Sequence, residues 1–235
     1  MYEAVRAHPE GQSTVARLAK RAADYGYEGV VVRNHSGARA DYDADAIADE
    51  YGIDVVDGVE IRADDPEQAS GSVGNFRPSH TILALEGGTD ALNRFAVEQA
   101  KVDVLAGPMA GDGDVNHVLA KAAVENGVRI EFDLSGVLRA SGGRRVRSIQ
   151  SLRKLEEIVD YYDAPYVVSA DPASHLELRA PRELRALGEE VGLSSDFIED
   201  GLAEWGRLAE RNRRIDSESF IEPGVEWGQY EADDS

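Results

Sequence analysis

Apolar residues along this chain recur with two alternating periods. Short runs rich in Val, Ile and Leu at 29–33, 55–61, 81–85, 102–106, 129–134 and 166–169 read as strands, with 2–6 as a seventh at the start. Between them, apolar positions three and four residues apart predict helices over about 13–26, 45–51, 89–100, 115–126, 148–162, 181–191 and 195–214. Gly26, Gly52 and Gly127 follow three of these helices, where a left-handed residue closes the last turn. Ser13-Thr14, Ser148 and Ser194-Ser195 stand where helix N-caps are expected. Val30-Val31-Val32 is apolar on both faces, as a strand covered on two sides requires. Roughly seven strand–helix units in succession, without a glycine-rich dinucleotide fingerprint, predict a distorted β/α barrel of the TIM type rather than an open sheet. No linker divides it, so residues 1–215 are expected to form one domain. The last twenty residues, 216–235, carry seven acids and no base. Such a segment predicts a flexible acidic tail, with Phe220, Val225 and Trp227 available for docking.

Composition narrows the functional classes. No apolar run approaches the ~18 residues that cross a membrane, and 1–6 lacks the pattern of a secretory signal. The chain has no cysteine, which excludes thiolate chemistry and suits a reducing cytoplasm. A net charge of -20 ordinarily argues against nucleic acid. Of the 25 basic residues, however, only four are Lys, leaving 21 Arg. An acid-rich, lysine-poor chain resembles the proteins of salt-accumulating archaea. At molar salt the Debye length is only ~3 Å, so an acidic surface no longer repels RNA at long range. Short-range arginine–phosphate bonds persist.

Between Asp133 and Glu156 there is no acidic residue, while Arg139, Arg144, Arg145, Arg147, Arg153 and Lys154 lie inside that window. Its centre, Ser141-Gly142-Gly143-Arg144-Arg145-Val146-Arg147, reads as a glycine turn bearing three arginines, a candidate contact for an RNA backbone. A basic solvated loop is the alternative. Arg179 and Arg182 flank Pro181 at a predicted helix start, suited to a phosphate or to pairing with Glu177 and Glu183. Arg33 and Arg62 stand at strand ends, where they face RNA or pair with Glu60 and Glu131. Arg77, beside Phe76, is a further candidate contact.

The strand ends also place His8, His35, Glu60 and His80 as metal-ligand types that could converge. Here the chain resembles the polymerase-and-histidinol-phosphatase (PHP) superfamily of metal-dependent phosphoesterases. The resemblance runs through Gly58-Val59-Glu60, Asn34-His35 and His80-Thr81-Ile82-Leu83. Arg6 replaces the first histidine of that superfamily's opening His-x-His, Gly107-Pro108 replaces its His-Pro, and Asp171-Pro172-Ala173 lacks its late histidine. The order of His8-Pro9-Glu10-Gly11, 29–35, 57–61, 102–105, 129–134 and 178–184 is more similar still to the archaeal ribonuclease P protein component 3 family, metal-free relatives of those enzymes, over roughly 1–215.

That resemblance implies a subunit of the ribonucleoprotein that removes 5′ leaders from precursor tRNA. The expected partners are ribonuclease P RNA, a small ferredoxin-like subunit, the other ribonuclease P proteins and, through the holoenzyme, precursor tRNA. The RNA and its Mg²⁺ would carry the chemistry, with no catalytic residue and no cofactor on this chain, and His8, His35, Glu60 and His80 would be degenerate metal positions. Two alternatives stay open. One is a residual metal-dependent phosphoesterase, against which Arg6 and Gly107 speak. The other is a scaffold unrelated to RNA whose acidic tail recruits a basic protein.

Overall fold

The computed structural model describes residues 1–216, together with the strand backbone of 220–222 and 225–226. Seven strands lie in sequence order and pair in parallel throughout: β1 (Tyr2–Val5), β2 (Gly29–Val32), β3 (Asp54–Ile61), β4 (Ile82–Glu86), β5 (Val104–Ala106), β6 (Arg129–Asp133) and β7 (Tyr166–Ser169). The helices between them are α1 (Val15–Asp24), α2 (Ala44–Tyr51), α3 (Pro66–Phe76), α4 (Asp90–Val97), α5 (His117–Asn126), α6 (Ser135–Arg139) and α7 (Gly142–Tyr162), with α8 (Pro181–Val191) and α9 (Ser195–Ile215) after β7. The sheet curls into a nearly closed barrel, as the strand–helix alternation predicts. β1 and β7 share no ladder. The buried Glu3 carboxylate spans the seam instead, its Oε1 accepting from Ser169 Oγ at 2.8 Å and Ala170 N at 3.1 Å.

Alternation sorts the strand residues into two cores. Val30 and Val32 of β2 face the surrounding helices, and Val31 faces inward with Ala4, Val56, Ala84, Val104 and Val167. The inner cluster is completed by Trp205, Leu208 and Ala209 of α9. The partners of α9 sit at strand beginnings. Asn212 donates to Thr81 O and Asp103 Oδ1, Arg213 pairs with Asp54, and Arg129 donates to Glu204. This helix therefore caps the N-terminal end of the barrel, with Trp205 inserted and donating to Val168 O at 2.9 Å. Gly201 lies so close to Val168 that a Cβ would stand 2.4 Å from its side chain, which explains a glycine inside a long helix.

Element positions follow the periodicity closely, with three departures. The helix expected over 148–162 begins six residues earlier, at Gly142, so the arginine loop is two helical turns. Ser148, expected as its N-cap, lies inside the helix and donates from Oγ to Arg144 O. The cap position is Ser141, which makes no side-chain cap bond. Arginine is a good helix former, and a serine can satisfy its hydroxyl on the preceding turn, so neither interrupts the helix. Helix α3 was not expected, because glycines and polar residues leave only Ala69 and Val73 buried. Its start was nonetheless marked by Asp65, which caps Gln68 N, and by Pro66 in the first turn. The short α6 was also not expected. Of the predicted acidic tail, Asp216 is the C-cap of α9, Phe220–Glu222 and Val225–Glu226 pair as antiparallel β8 and β9, and the rest, including Trp227, lies outside the described residues.

Candidate nucleic-acid interface

The open, C-terminal end of the barrel carries an ionic lattice built by consecutive strand ends. Arg6, just past β1, donates to Glu60 at 2.7 Å, Asp171 at 2.8 Å and Glu10 at 3.2 Å. Arg33, just past β2 and 1 % exposed, reaches Glu131 at 2.6 Å, Asp171 at 3.0 Å and Glu60 at 3.6 Å, and its guanidinium lies over the Trp205 ring. Arg62, just past β3, bridges Glu10 at 3.0 Å and Glu86 at 2.5 Å. Burial works to discharge Arg33, but Glu131, Asp171 and Glu60 outweigh it and hold its pKa above the ordinary arginine range. For Asp171, burial is likewise outweighed, here by Arg33 and Arg6, and its pKa lies below the usual value. Burial pushes Glu131 up to about 7, and burial with Asp171 raises Asp133.

This lattice decides the metal question on the chemistry of its donors. Glu60, the one carboxylate among the four ligand-type positions, is taken by Arg6 and Arg33. His8 is exposed on its loop, and His35 Nδ1 accepts from Gly37 N. The His80 ring stands edge-on to Phe76, with Nδ1 3.0 Å from both Phe76 O and Ser79 Oγ. His35 and His80 do share a cavity, of about 200 Å³, but on the helix-facing side of β2 and β3, away from Glu60. The convergence of His8, His35, Glu60 and His80 is therefore not found. Among the described residues no group of His, Asp and Glu is arranged to hold a metal, and the donor set does not fit one.

The arginines of the acid-free window divide sharply. Arg144, Arg145 and Arg147 are exposed on the first two turns of α7 and engage no carboxylate among the described residues. The first turn of α7 contains no acid either, so its free N–H groups add to the same positive face. Arg182, exposed on the first turn of α8, is likewise unengaged. The others have structural partners. Arg139 donates to Ala170 O and Asp171 O, tying α6 to the end of β7. Arg153 donates to Val191 O at the end of α8. Lys154 pairs with Asp114, and Arg179 donates to the carbonyls of Leu176, Glu177 and Leu178.

Two expected RNA contacts need correction. Arg33 is buried, so it takes the pairing alternative and has no surface to offer. Arg77 is a fastener, bound to Asp103 and donating to His80 O and Thr81 O at the start of β4. Arg62 keeps about half its side chain exposed but is engaged by three carboxylates.

Beside the arginine face lies a cleft of about 490 Å³ between the 107–111 loop, the end of β6, and helices α6 and α7. Arg144 and Arg147 stand on its wall, with Glu131 and Asp133 among its lining residues. Sequence reasoning did not anticipate it, because its walls come from neighbouring strand–helix units and no local pattern records that the loop after β5 meets α6 and α7. Gly136 allows the approach of α6 to α7, since a Cβ there would stand 2.4 Å from Ser148 Oγ.

Comparisons with known proteins agree with one another. A family model described as RNase P subunit p30 matches residues 1–215. Ribonuclease P protein component 3 of Natronomonas pharaonis is 62% identical over 237 residues, spanning 100% of this chain and 99% of the relative. A chain in a cryo-EM structure of archaeal ribonuclease P with mature tRNA superposes with a TM-score of 0.82 at 24% identity, covering 99% of this chain and 100% of that one. Histidinol phosphate phosphatase from Lactococcus lactis, solved with Zn, L-histidinol and phosphate, has a TM-score of 0.52 at 10% identity, covering 82% of this chain and 94% of that one; the likeness is one of fold.

Proposed function

The chain belongs to the RNase P subunit p30 family, and on that premise we propose that it is a protein subunit of ribonuclease P that supports the catalytic RNA in removing the 5′ leader from precursor tRNA. The observation that carries the RNA contact is the α7 N-terminus. Three exposed arginines stand there without carboxylate partners among the described residues, in a chain whose net charge is -20. In a protein so rich in acids, leaving three guanidinium forks unpaired side by side favours a ligand that supplies the anion. Arg182 extends the same kind of surface, and Arg62, Arg139, Arg153, Lys154 and Arg179 support it from their structural positions.

The isolated chain is a positioning subunit rather than a nuclease. Its barrel mouth is neutralised by Arg6 and Arg33, and the reaction falls to the RNA and the Mg²⁺ it binds. It works in the cytoplasm alongside a small ferredoxin-like subunit and the other ribonuclease P proteins, in a salt-rich cell. Among the described residues no helix is long and apolar enough to cross a membrane.

The test is the combined variant Arg144→Gln, Arg145→Gln, Arg147→Gln in a reconstituted holoenzyme. Weaker assembly with the RNA, or slower leader cleavage at limiting protein, is expected while thermal stability stays unchanged. Wild-type assembly and cleavage by the triple variant would contradict the assignment.

A further inference from the structure

We propose that the cleft between the 107–111 loop and α7 seats one unpaired guanosine of the RNA partner. This rests on the RNA-contact function of α7 and adds the nucleotide that docks beside it. The cleft, at about 490 Å³, falls in the range of ~300–1,000 Å³ usual for small-molecule sites.

Its chemistry is sorted along its depth. Exposed Arg144 and Arg147 stand at the rim, where a phosphate can meet planar N–H forks. Met109 and Leu152 give apolar wall for a flat ring. Buried Glu131 and half-buried Asp133 line the cleft at the end of β6. Asp133 accepts one hydrogen bond on each oxygen, from Ser135 N and Ser135 Oγ, both at 2.7 Å, and each oxygen keeps a second lone pair. Glu131 is held behind it, Oε1 against Arg33 Nη2 at 2.6 Å and Oε2 accepting from Gly107 N at 3.2 Å, so Asp133 is the carboxylate that offers lone pairs to the cleft. Burial disfavours the charge on Asp133, and N–H donors from a ligand would stabilise it.

A ligand that fits is anionic at one end, flat in the middle and rich in adjacent donors at the other. Ionised carboxylates only accept. Guanine presents N1–H and the N2 amino group side by side, a pair of donors matched to a carboxylate. The Watson–Crick edges of adenine, cytosine and uracil each set an acceptor beside the donor, which a carboxylate repels. Recognition of splayed-out bases by their Watson–Crick edges is the usual way proteins read RNA sequence.

The experiment uses the complex reconstituted from the full chain, ribonuclease P RNA and the other protein subunits. Kethoxal reports on the N1/N2 edge of each guanine, and hydroxyl radicals report on the backbone. The wild-type chain is expected to protect one unpaired guanine together with the backbone around it. Ser151→Trp, which fills the cleft from α7, should restore that guanine's reactivity to the level of RNA without this chain while the backbone protection remains. Met109→Trp repeats the test from the opposite wall. Replacing that guanine with adenine should weaken binding by about tenfold or more. The proposal is overturned if both plugging variants protect every guanine as the wild type does. It is equally overturned if they weaken capture of a protein subunit without RNA, which would mean that a peptide occupies the cleft. Loss of all nearby backbone protection in Arg144→Gln/Arg147→Gln, with the plugging variants inert, would sink the guanosine alone. If the arginine variant also alters no nucleotide, the RNA-contact function of α7 fails with it.

Discussion

Single side chains in this protein are fixed by how their charge is compensated. Arg33 is a guanidinium with 1 % of its surface exposed, surrounded by Glu131, Asp171 and Glu60. Removing Arg33 leaves Glu131 buried without a countercharge, since Arg6 still serves Glu60 and Asp171; breaking a buried pair in this way costs ~3–5 kcal/mol. Arg33→Met is therefore expected to lose about that much in urea unfolding at high salt; a loss under ~1 kcal/mol would show that the lattice is not a stabilising unit. Glu3 behaves differently, because its partners among the described residues are Ala4 N, Tyr27 Oη, Ser169 Oγ and Ala170 N rather than a guanidinium. Burial is the main cause that pushes its carboxyl from 4.5 up to about 7. The folded state then holds a proton between pH 4.5 and 7 that the unfolded chain releases. Stability from this group is full below about 4.5 and is lost as pH rises through about 7. Glu3→Gln keeps an acceptor for Ser169 and Ala170 but cannot ionise, so its stability should fall less steeply across that window. An unchanged slope would show that Glu3 titrates normally. Sequence reasoning could name Arg33, Glu60 and Glu131 as possible partners from their strand-end positions. It could not choose pairing over RNA contact for Arg33, since burial depends on which strands curl together.

Elements were legible wherever a face is buried. The seven strands and the helices with strong apolar stripes follow directly from periodicity, because inward and outward residues alternate around a closed sheet. Helix α7 was mislocated at its start for a physical reason: Gly142 to Arg147 buries nothing, so no apolar stripe announces helix there. The consequence is functional, since a helix holds Arg144 and Arg147 on the cleft side at fixed spacing where a loop would not. Helix α9 shows the opposite case. Its stripe was evident, but its place across the N-terminal end of the barrel was not. Trp205 is fully buried, donates to Val168 O and underlies Arg33. Trp205→Ala should cost ~3–5 kcal/mol in thermal or urea unfolding. A cost under ~1 kcal/mol would mean that α9 is an appendage rather than the barrel's base.

At the scale of the whole molecule, two features of charge must be held together: a net -20, and one acid-free stretch in which exposed Arg144, Arg145 and Arg147 engage no carboxylate among the described residues. The family membership was readable from ordered motifs along most of the chain, and a model match over 1–215 bears it out. The cleft was not readable, because β5, β6 and α7 supply it jointly and no local pattern records their meeting. High salt screens the acidic surface, with a Debye length of ~3 Å at 1 M, while short arginine–phosphate contacts persist. The proposed function therefore has this protein working in molar salt, on an RNA that performs the cleavage. The most direct measurement is precursor-tRNA 5′-leader cleavage in molar KCl by the cognate ribonuclease P RNA and remaining protein subunits, with and without this chain, across Mg²⁺ concentrations. A faster reaction or a lower Mg²⁺ requirement in its presence is the predicted result. Equal rates at every Mg²⁺ concentration, with the other subunits shown to be active, would contradict it.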